Sequence, residues 1–214
     1  MSHWKHIVWD WNGTLLDDTQ ICVQVLNELI HEAGLLPITP ERYRDTFDFP
    51  VIHFYRTLGF PSGQENFEAI SHRFIQRYHE EAVGCPLQEG VTDLLQDLQC
   101  SGKSHSILSA AKQDTLEVAV ETYGLKELFI GLNGARDIFA HGKQEAGRTW
   151  IRNLPWSPEE IVLIGDTAHD YDVAQAMGTD CILVAHGHHS PSRLQKCGVP
   201  VVENMKDLRR MLQK

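Results

Sequence analysis

A chain of 214 residues has room for one large domain, or for a core with an insertion, at the usual ~100–200 residues per domain. Its formal net charge of −10 argues against nonspecific binding to nucleic acid or anionic membranes, yet permits a small anionic substrate where local residues and a metal overcome the global sign. Five cysteines without CxxC spacing fit reduced thiols, and no apolar run approaches the ~18 residues of a membrane span, so a soluble, cytoplasmic protein without a leader at MSHWKHIVWD is expected.

Ile7, Val8 and Trp9 predict a buried strand that delivers Asp10 to its carboxyl end and runs into the turn Asn12-Gly13-Thr14. Asn-Gly is also a hairpin signal, but from Asp17 the pattern is helical rather than a second strand. Residues 17 to 83 read as helices only. Ile21, Val25, Leu26, Leu29, Ile30 and Ala33 share a face, with Asp17 to Thr19 as cap candidates and Gly34 as the stop. Thr39-Pro40-Glu41 starts another helix, a third runs near Val51 to Leu58, and a fourth carries Phe67, Ile70, Phe74, Tyr78 and Ala82. The aromatic stripe of that fourth helix reads as packing rather than a cofactor surface.

From Pro86 the rhythm becomes alternating helices and short apolar strands, which implies βα units around a mainly parallel sheet. Strands are expected at Ser106 to Leu108, Ile161 to Ile164, Cys181 to Val184 and Val199 to Val202. Helices are expected near Val91 to Leu98, Thr115 to Tyr123, Lys143 to Asn153, Tyr171 to Met177 and Met205 to Leu212, with a capping box at Ser157 to Glu160. The architecture predicted is a doubly wound, Rossmann-like α/β core from 1 to 15 and 86 to 214, with a helical cap from 16 to 85.

The strand ends carry complementary polar groups: Asp10, then Ser109-Ala110, Lys143 at the opening of a later helix, and Asp166 and Asp170 in IGDTAHD. Carboxylates on adjacent loops can hold a hard cation such as Mg²⁺, while a lysine and a hydroxyl complete a phosphate cradle. Asp166 and Asp170 also read as simple helix caps, and Lys112 as a second nearby cation.

In the order and spacing of Asp-x-x-Gly-Thr, the helical insertion, Ser109, the lysine and GDTxxD, the chain resembles the haloacid dehalogenase-like phosphohydrolases, in particular the members similar to phosphoglycolate phosphatase. The resemblance implies that Asp10 is the nucleophile and forms an aspartyl phosphate. It further implies that Asp10, the Asn12 carbonyl, Asp166 and Asp170 hold Mg²⁺, that Ser109, Ala110 and Lys143 bind the phosphoryl group, and that Gly13 and Thr14 shape the turn and offer N–H groups. The partners implied are a small phosphorylated substrate and no nucleic acid or membrane, with the chain a monomer or small homo-oligomer.

Asn12 departs from the pattern, which has an Asp here to protonate the leaving oxygen and then activate water. An amide does neither, and a positioned acid or base contributes roughly 10²–10⁴-fold. Three explanations compete. Another acid, His169 or His53, replaces it; the protein is a catalytically weak phosphate binder or regulator; or Asn12 deamidates, which a tight folded turn opposes. The phosphonate-cleaving relatives also lack the second Asp but form a Schiff base through a cap lysine, and the absence of lysine from residues 17 to 83 argues against that chemistry. His186-Gly187-His188-His189 has no Cys or carboxylate at ligand spacing and reads as a loop near the active-site edge. Arg44, His53, Tyr55 and Arg56 are the polar cap residues offered for substrate contact.

Overall fold

The computed structural model describes residues 3–139 and 142–213. Met1 and Ser2 of the N-terminal reading lie outside them. β1 (His6–Trp9) is buried over its whole length, as a strand covered on both faces must be. It pairs in parallel with β2 (Ser104–Lys112) on one side and β4 (Ile161–Gly165) on the other. With β3 (Leu132–Ala135), β5 (Asp180–Val184) and β6 (Val201–Val202) the sheet runs β3-β2-β1-β4-β5-β6, all parallel. The strand order reverses at β1/β4, so the crevice beyond these carboxyl ends is where an open α/β sheet accommodates a ligand.

α5 (Val91–Cys100), α6 (Gln113–Thr122) and α10 (Met205–Leu212) accompany the core cluster that contains Ile7, Trp9, Ile107 and Ile164. α7 (Gln144–Ile151), α8 (Ala168–Met177) and the short α9 (Pro191–Gln195) lie with the cluster of Val8, Leu163 and Val173. Beneath the sheet His6 bridges the hydroxyls of Ser104 and Ser106, and burial pushes its pKa down to about 3, so it is neutral in the fold.

α1 (Thr19–Glu32), α2 (Pro40–Thr46), α3 (Val51–Thr57) and α4 (Gln64–Glu81) form the helical cap, built on its own cluster of Leu26, Ile30, Tyr43, Phe54 and Phe67. The chain leaves and re-enters the core side by side. Asp17 N–H donates to Pro86 O at 2.9 Å, Gln88 N–H to Leu15 O at 2.8 Å, and Leu16 bridges Leu87 antiparallel. No helix among the described residues is long and apolar enough to cross a membrane.

Three expectations need correction. β3 falls where no strand is expected, its four residues being half-buried and without an apolar run. A Cβ on Gly134 would stand 2.7 Å from the Gln113 Cα, so glycine is there for close packing. The last strand is only Val201–Val202, short of Val199 to Val202. Asp18 sits at the N-cap of α1 but makes no side-chain cap bond, because its carboxylate is turned toward the crevice. The Ser157 capping box is present and encloses one 3-10 turn, Pro158–Glu160, before β4.

Candidate active site

Three adjacent strands bring the predicted polar groups together. Asp10 follows β1 with its N–H bound to Ile164 O at 2.8 Å, Ser109 lies near the end of β2, and Asp166 follows β4. Lys143 at the N-cap of α7 is buried, and its ammonium contacts Asp10 Oδ1, Asp170 Oδ1 at 2.7 Å and Leu108 O at 3.0 Å. Oxygens of Asp10, Asp166 and Asp170 lie within 4.8 Å of one another.

One oxygen of Asp170 does what a cap does. Oδ2 accepts from Thr167 N–H at 3.0 Å and Asp166 N–H at 3.2 Å, while Oδ1 faces Lys143. The capping and the site readings of this residue are therefore both satisfied, by different atoms.

Glycines make room for Asp166. A Cβ on Gly13, where φ is +74°, would collide with Asp166 Oδ2, and so would one on Gly187. His188 N–H donates to that oxygen at 2.6 Å, and the Thr14 hydroxyl to Oδ1 at 2.8 Å.

Charge is unbalanced here. Three buried carboxylates face one ammonium, and burial with the repulsion of Asp170 and Asp166 holds Asp10 well above the usual carboxylate range, against the pull of Lys143. Burial likewise raises Asp166, whereas the Lys143 ammonium overcomes burial and holds Asp170 low. An oxygen-only donor set with surplus negative charge fits a hard divalent cation such as Mg²⁺.

Ser109 accepts from Ala111 N–H at 3.0 Å, which leaves its own O–H to donate; Ala110 lies beside it on the crevice wall. Lys112 is more exposed and paired with Asp114 at 2.5 Å. Lys143, not Lys112, is the buried cation.

The signal that sequence reasoning missed is the neighbourhood of Asn12. The Asn12 amide N–H₂ donates to Asp18 Oδ2 at 2.7 Å and to the Tyr78 hydroxyl at 2.9 Å. Tyr78 donates to the same Asp18 oxygen at 2.6 Å, Gly13 N–H to Oδ1 at 2.8 Å, and His188 Nε2 stands 3.3 Å from Oδ1. Asn12 is thus held as a donor between a buried carboxylate and a cap helix. The doublet Asp17-Asp18 is the only trace of this in the sequence.

Two expectations change here. Tyr78 and Phe74 of the aromatic stripe line the crevice between cap and core instead of serving packing alone. The loop 186–189 does lie at the site's edge, but folding brings Asp18 and Cys22 beside His188, which spacing could not show. Asp18 and His188 already neutralise each other as an ion pair there.

Neither candidate replacement acid is well placed. His53 is exposed and away from the crevice, and His169 accepts from Lys143 N–H at 3.4 Å, stacks on Phe49 at 4.7 Å, and is pushed down by burial. Tyr55 is buried in the crevice wall, Arg44 donates to His186 O at 3.2 Å, and Arg56 lies outside that wall.

The Asp18 charge and hydrogen bond raise His188 to about 9 despite burial. A raised histidine stabilises the fold fully below its unfolded value of 6.5, and the contribution disappears as pH climbs through 9. Asp18, held low by His188, Tyr78 and Asn12 against burial, loses its share only in acid. Wild type is therefore expected to exceed His188→Gln by up to about 3 kcal/mol near pH 6, with the difference gone by about pH 10. Urea unfolding across pH tests this; a difference that is flat from pH 6 to 10 refutes the ion pair.

A model of the haloacid dehalogenase-like hydrolase family matches residues 7–184. The chain belongs to this family. It is 25% identical over 207 residues, 94% of either chain, to the phosphoglycolate phosphatase of Synechococcus elongatus. It is also 25% identical over 201 residues to the tyrosine-protein kinase PtkA of Mycobacterium tuberculosis, covering 92% of this chain and 67% of that one. Among solved structures, a haloacid dehalogenase-like family protein of Streptococcus pneumoniae superposes with a TM-score of 0.81 at 18% identity, over 99% of this chain and 100% of the other. A fold of this family, with a helical cap over a Rossmann-like core, is what the strand order and helices above describe.

Proposed function

We propose that the chain is a Mg²⁺-dependent phosphohydrolase that acts on a small phosphorylated metabolite through an aspartyl phosphate on Asp10. The observation that carries this reading is the convergence of three buried carboxylates, Lys143 and Ser109 at the carboxyl ends of β1, β2 and β4. The phosphoglycolate phosphatase relatives support the reaction class. The cap is assigned to 16–85 and the core to 1–15 and 86–214, in keeping with the paired linkers at Leu16 and Leu87.

Asp10 Oδ attacks phosphorus, the bond to the leaving oxygen breaks, and water then releases phosphate from the aspartyl phosphate. Lys143 neutralises Asp10 and Asp170 and meets the charge of the transferring phosphoryl group, with the Ser109 hydroxyl and the Thr14 N–H as further donors; the Gly13 N–H, expected to join them, is instead given to Asp18 Oδ1 at 2.8 Å. Asp10, Asp166, Asp170 and the Asn12 carbonyl would hold Mg²⁺, which supplies Lewis-acid stabilisation of phosphoryl oxygens when bound. Closure of the cap excludes water. Asn12 cannot donate a proton to the leaving group, so turnover of alkyl esters is slow by the roughly 10²–10⁴-fold that such an acid supplies.

Phosphate release from a metabolite panel with Mg²⁺, compared between wild type and Asp10→Asn, tests the reaction. A readout independent of turnover tests the cation. Mg²⁺ at 100 times its Kd is expected to stabilise wild type by about 2.7 kcal/mol, and Asp166→Asn to lose most of that gain. A thermal shift with Mg²⁺ that is the same in both proteins would remove Asp166 from the ligand set.

A further inference from the structure

A cavity of about 950 Å³ opens between the cap and the core, with Asp10, Ser109 and Lys143 at its floor. That is near the upper end of the range for small-molecule sites. Its walls are largely aromatic: Phe47, Phe49, Phe54, Phe74, Tyr78 and Phe139 all contribute. The apolar character continues to the outside. Val83 and Val118 line the same space and are 83% and 67% exposed, so its mouth is apolar as well.

Cations are scarce in it. Among the described residues that line the cavity, Lys112 and Lys143 are the only lysines, and there is no arginine. Lys143 is committed to Asp10 and Asp170 and His188 to Asp18, while Lys112 stands at the exposed rim beside Asp114 and belongs to the core. No lysine or arginine of the cap is therefore placed to pair with a second anionic group, such as the carboxylate of phosphoglycolate.

Asn12 supplies a second constraint of a different kind. Its N–H₂ is spent on Asp18 and Tyr78, and an amide has no proton to give a departing oxygen. A phenol, near the tyrosine value of about 10, leaves as its anion far more readily than an alkanol, which is a much weaker acid.

Resting on the phosphohydrolase reading above, we propose that the substrate class is phosphate monoesters of aromatic hydroxyl compounds, with the ring system held between the cap aromatics and α6. Asp10 Oδ forms a bond to phosphorus as the P–O(aryl) bond breaks, and the electron pair departs on the phenolate oxygen. Water then adds to phosphorus and the P–O(Asp10) bond breaks. Of the two water protons, one remains on the released phosphate and the other neutralises the phenolate.

Steady-state phosphate release with Mg²⁺ from 1-naphthyl phosphate, decyl phosphate, phosphoglycolate and glycerol phosphate tests this. The expected kcat/KM for 1-naphthyl phosphate exceeds that for phosphoglycolate by at least about 10²-fold. Across substituted phenyl phosphates the rate should fall as the pKa of the phenol rises. At the exposed mouth, Val83→Asn and Val118→Asn should raise the KM for 1-naphthyl phosphate about threefold or more, with kcat held. Phosphoglycolate or glycerol phosphate cleaved as well as the naphthyl ester, in an Asp10-dependent way, would overturn the substrate class and leave the phosphohydrolase reading standing. Decyl phosphate cleaved equally well would overturn the need for an aromatic alcohol. Release from no ester above the level of Asp10→Asn would remove the phosphohydrolase reading and this proposal together.

Discussion

Asp10→Asn is expected to lower kcat by about 10⁴-fold or more and, in the same protein without added metal, to raise the unfolding temperature. The first effect follows from the loss of the attacking oxygen: an amide at this position cannot form the aspartyl phosphate. The second follows from the crowding of charge. Burial, Asp170 and Asp166 raise the Asp10 pKa in the fold above its ordinary 3.8. A carboxylate that binds its proton more tightly in the folded state than in the unfolded one subtracts from stability at every pH above the unfolded value.

Asn relieves that strain, and Lys143 keeps Asp170 at 2.7 Å and Leu108 O at 3.0 Å when the Asp10 charge is gone. Each kcal/mol recovered corresponds to about 2–4 °C for a chain of this size. A charge-crowded site that costs stability and supplies activity is the usual form of the trade between them. Phosphate release and calorimetry check the two halves separately. Activity within about tenfold of wild type would rule out Asp10 as nucleophile, and an unfolding temperature that falls would show that the Lys143–Asp10 contact outweighs the repulsion.

Much of the fold was legible because it rests on local pattern. The apolar run of β1, the Thr39-Pro40 start of α2, whose Thr39 hydroxyl accepts from Arg42 N–H, and the Ser157 capping box are each specified within a few residues. The site residues were legible for a related reason: Asp10, Ser109 and Asp166 each follow an apolar run, so a parallel sheet must bring them to one edge. β3 was not legible, because an edge strand that is only half-buried carries no continuous apolar run, and Gly134 serves packing that depends on a distant segment.

The ring of groups around Asn12 was hidden for the same physical reason. Asp18 is six residues away and looks like a helix cap, Tyr78 is in the last turn of an amphipathic helix, and His188 lies in a loop near the other end of the chain. Only the closed fold shows that one buried carboxylate unites them. The functional consequence is a change in how Asn12 must be read. Sequence alone presents it as an isolated loss of an acid, whereas the structure shows half of a pair whose other half is Asp18.

That pairing predicts that Asn12→Asp alone is not a simple restoration. It would set a second carboxylate at hydrogen-bond distance from the fully buried Asp18, where the amide now stands at 2.7 Å. The expected cost is about 3–5 kcal/mol at pH 7, the scale of an uncompensated buried charge. Two carboxylates that close share one proton, so the folded state takes up a proton that the unfolded chain releases. The deficit should therefore shrink as pH falls from 7 toward 5, opposite to ordinary acid destabilisation. In Asn12→Asp/Asp18→Asn the amide and the acid exchange places: the introduced amide can donate to the introduced carboxylate and still accept from Gly13 N–H. Because His188 loses its charged partner, wild-type stability is not fully regained. The double-mutant cycle should nevertheless show a favourable coupling of about 2–3 kcal/mol. With a carboxyl in the crevice that Asp10 also lines, the double variant should also hydrolyse alkyl phosphates about 10²-fold faster than wild type. Additive single-variant stabilities would break the Asn12–Asp18 link, and a stable but equally slow double variant would show that the missing acid is not what limits this site.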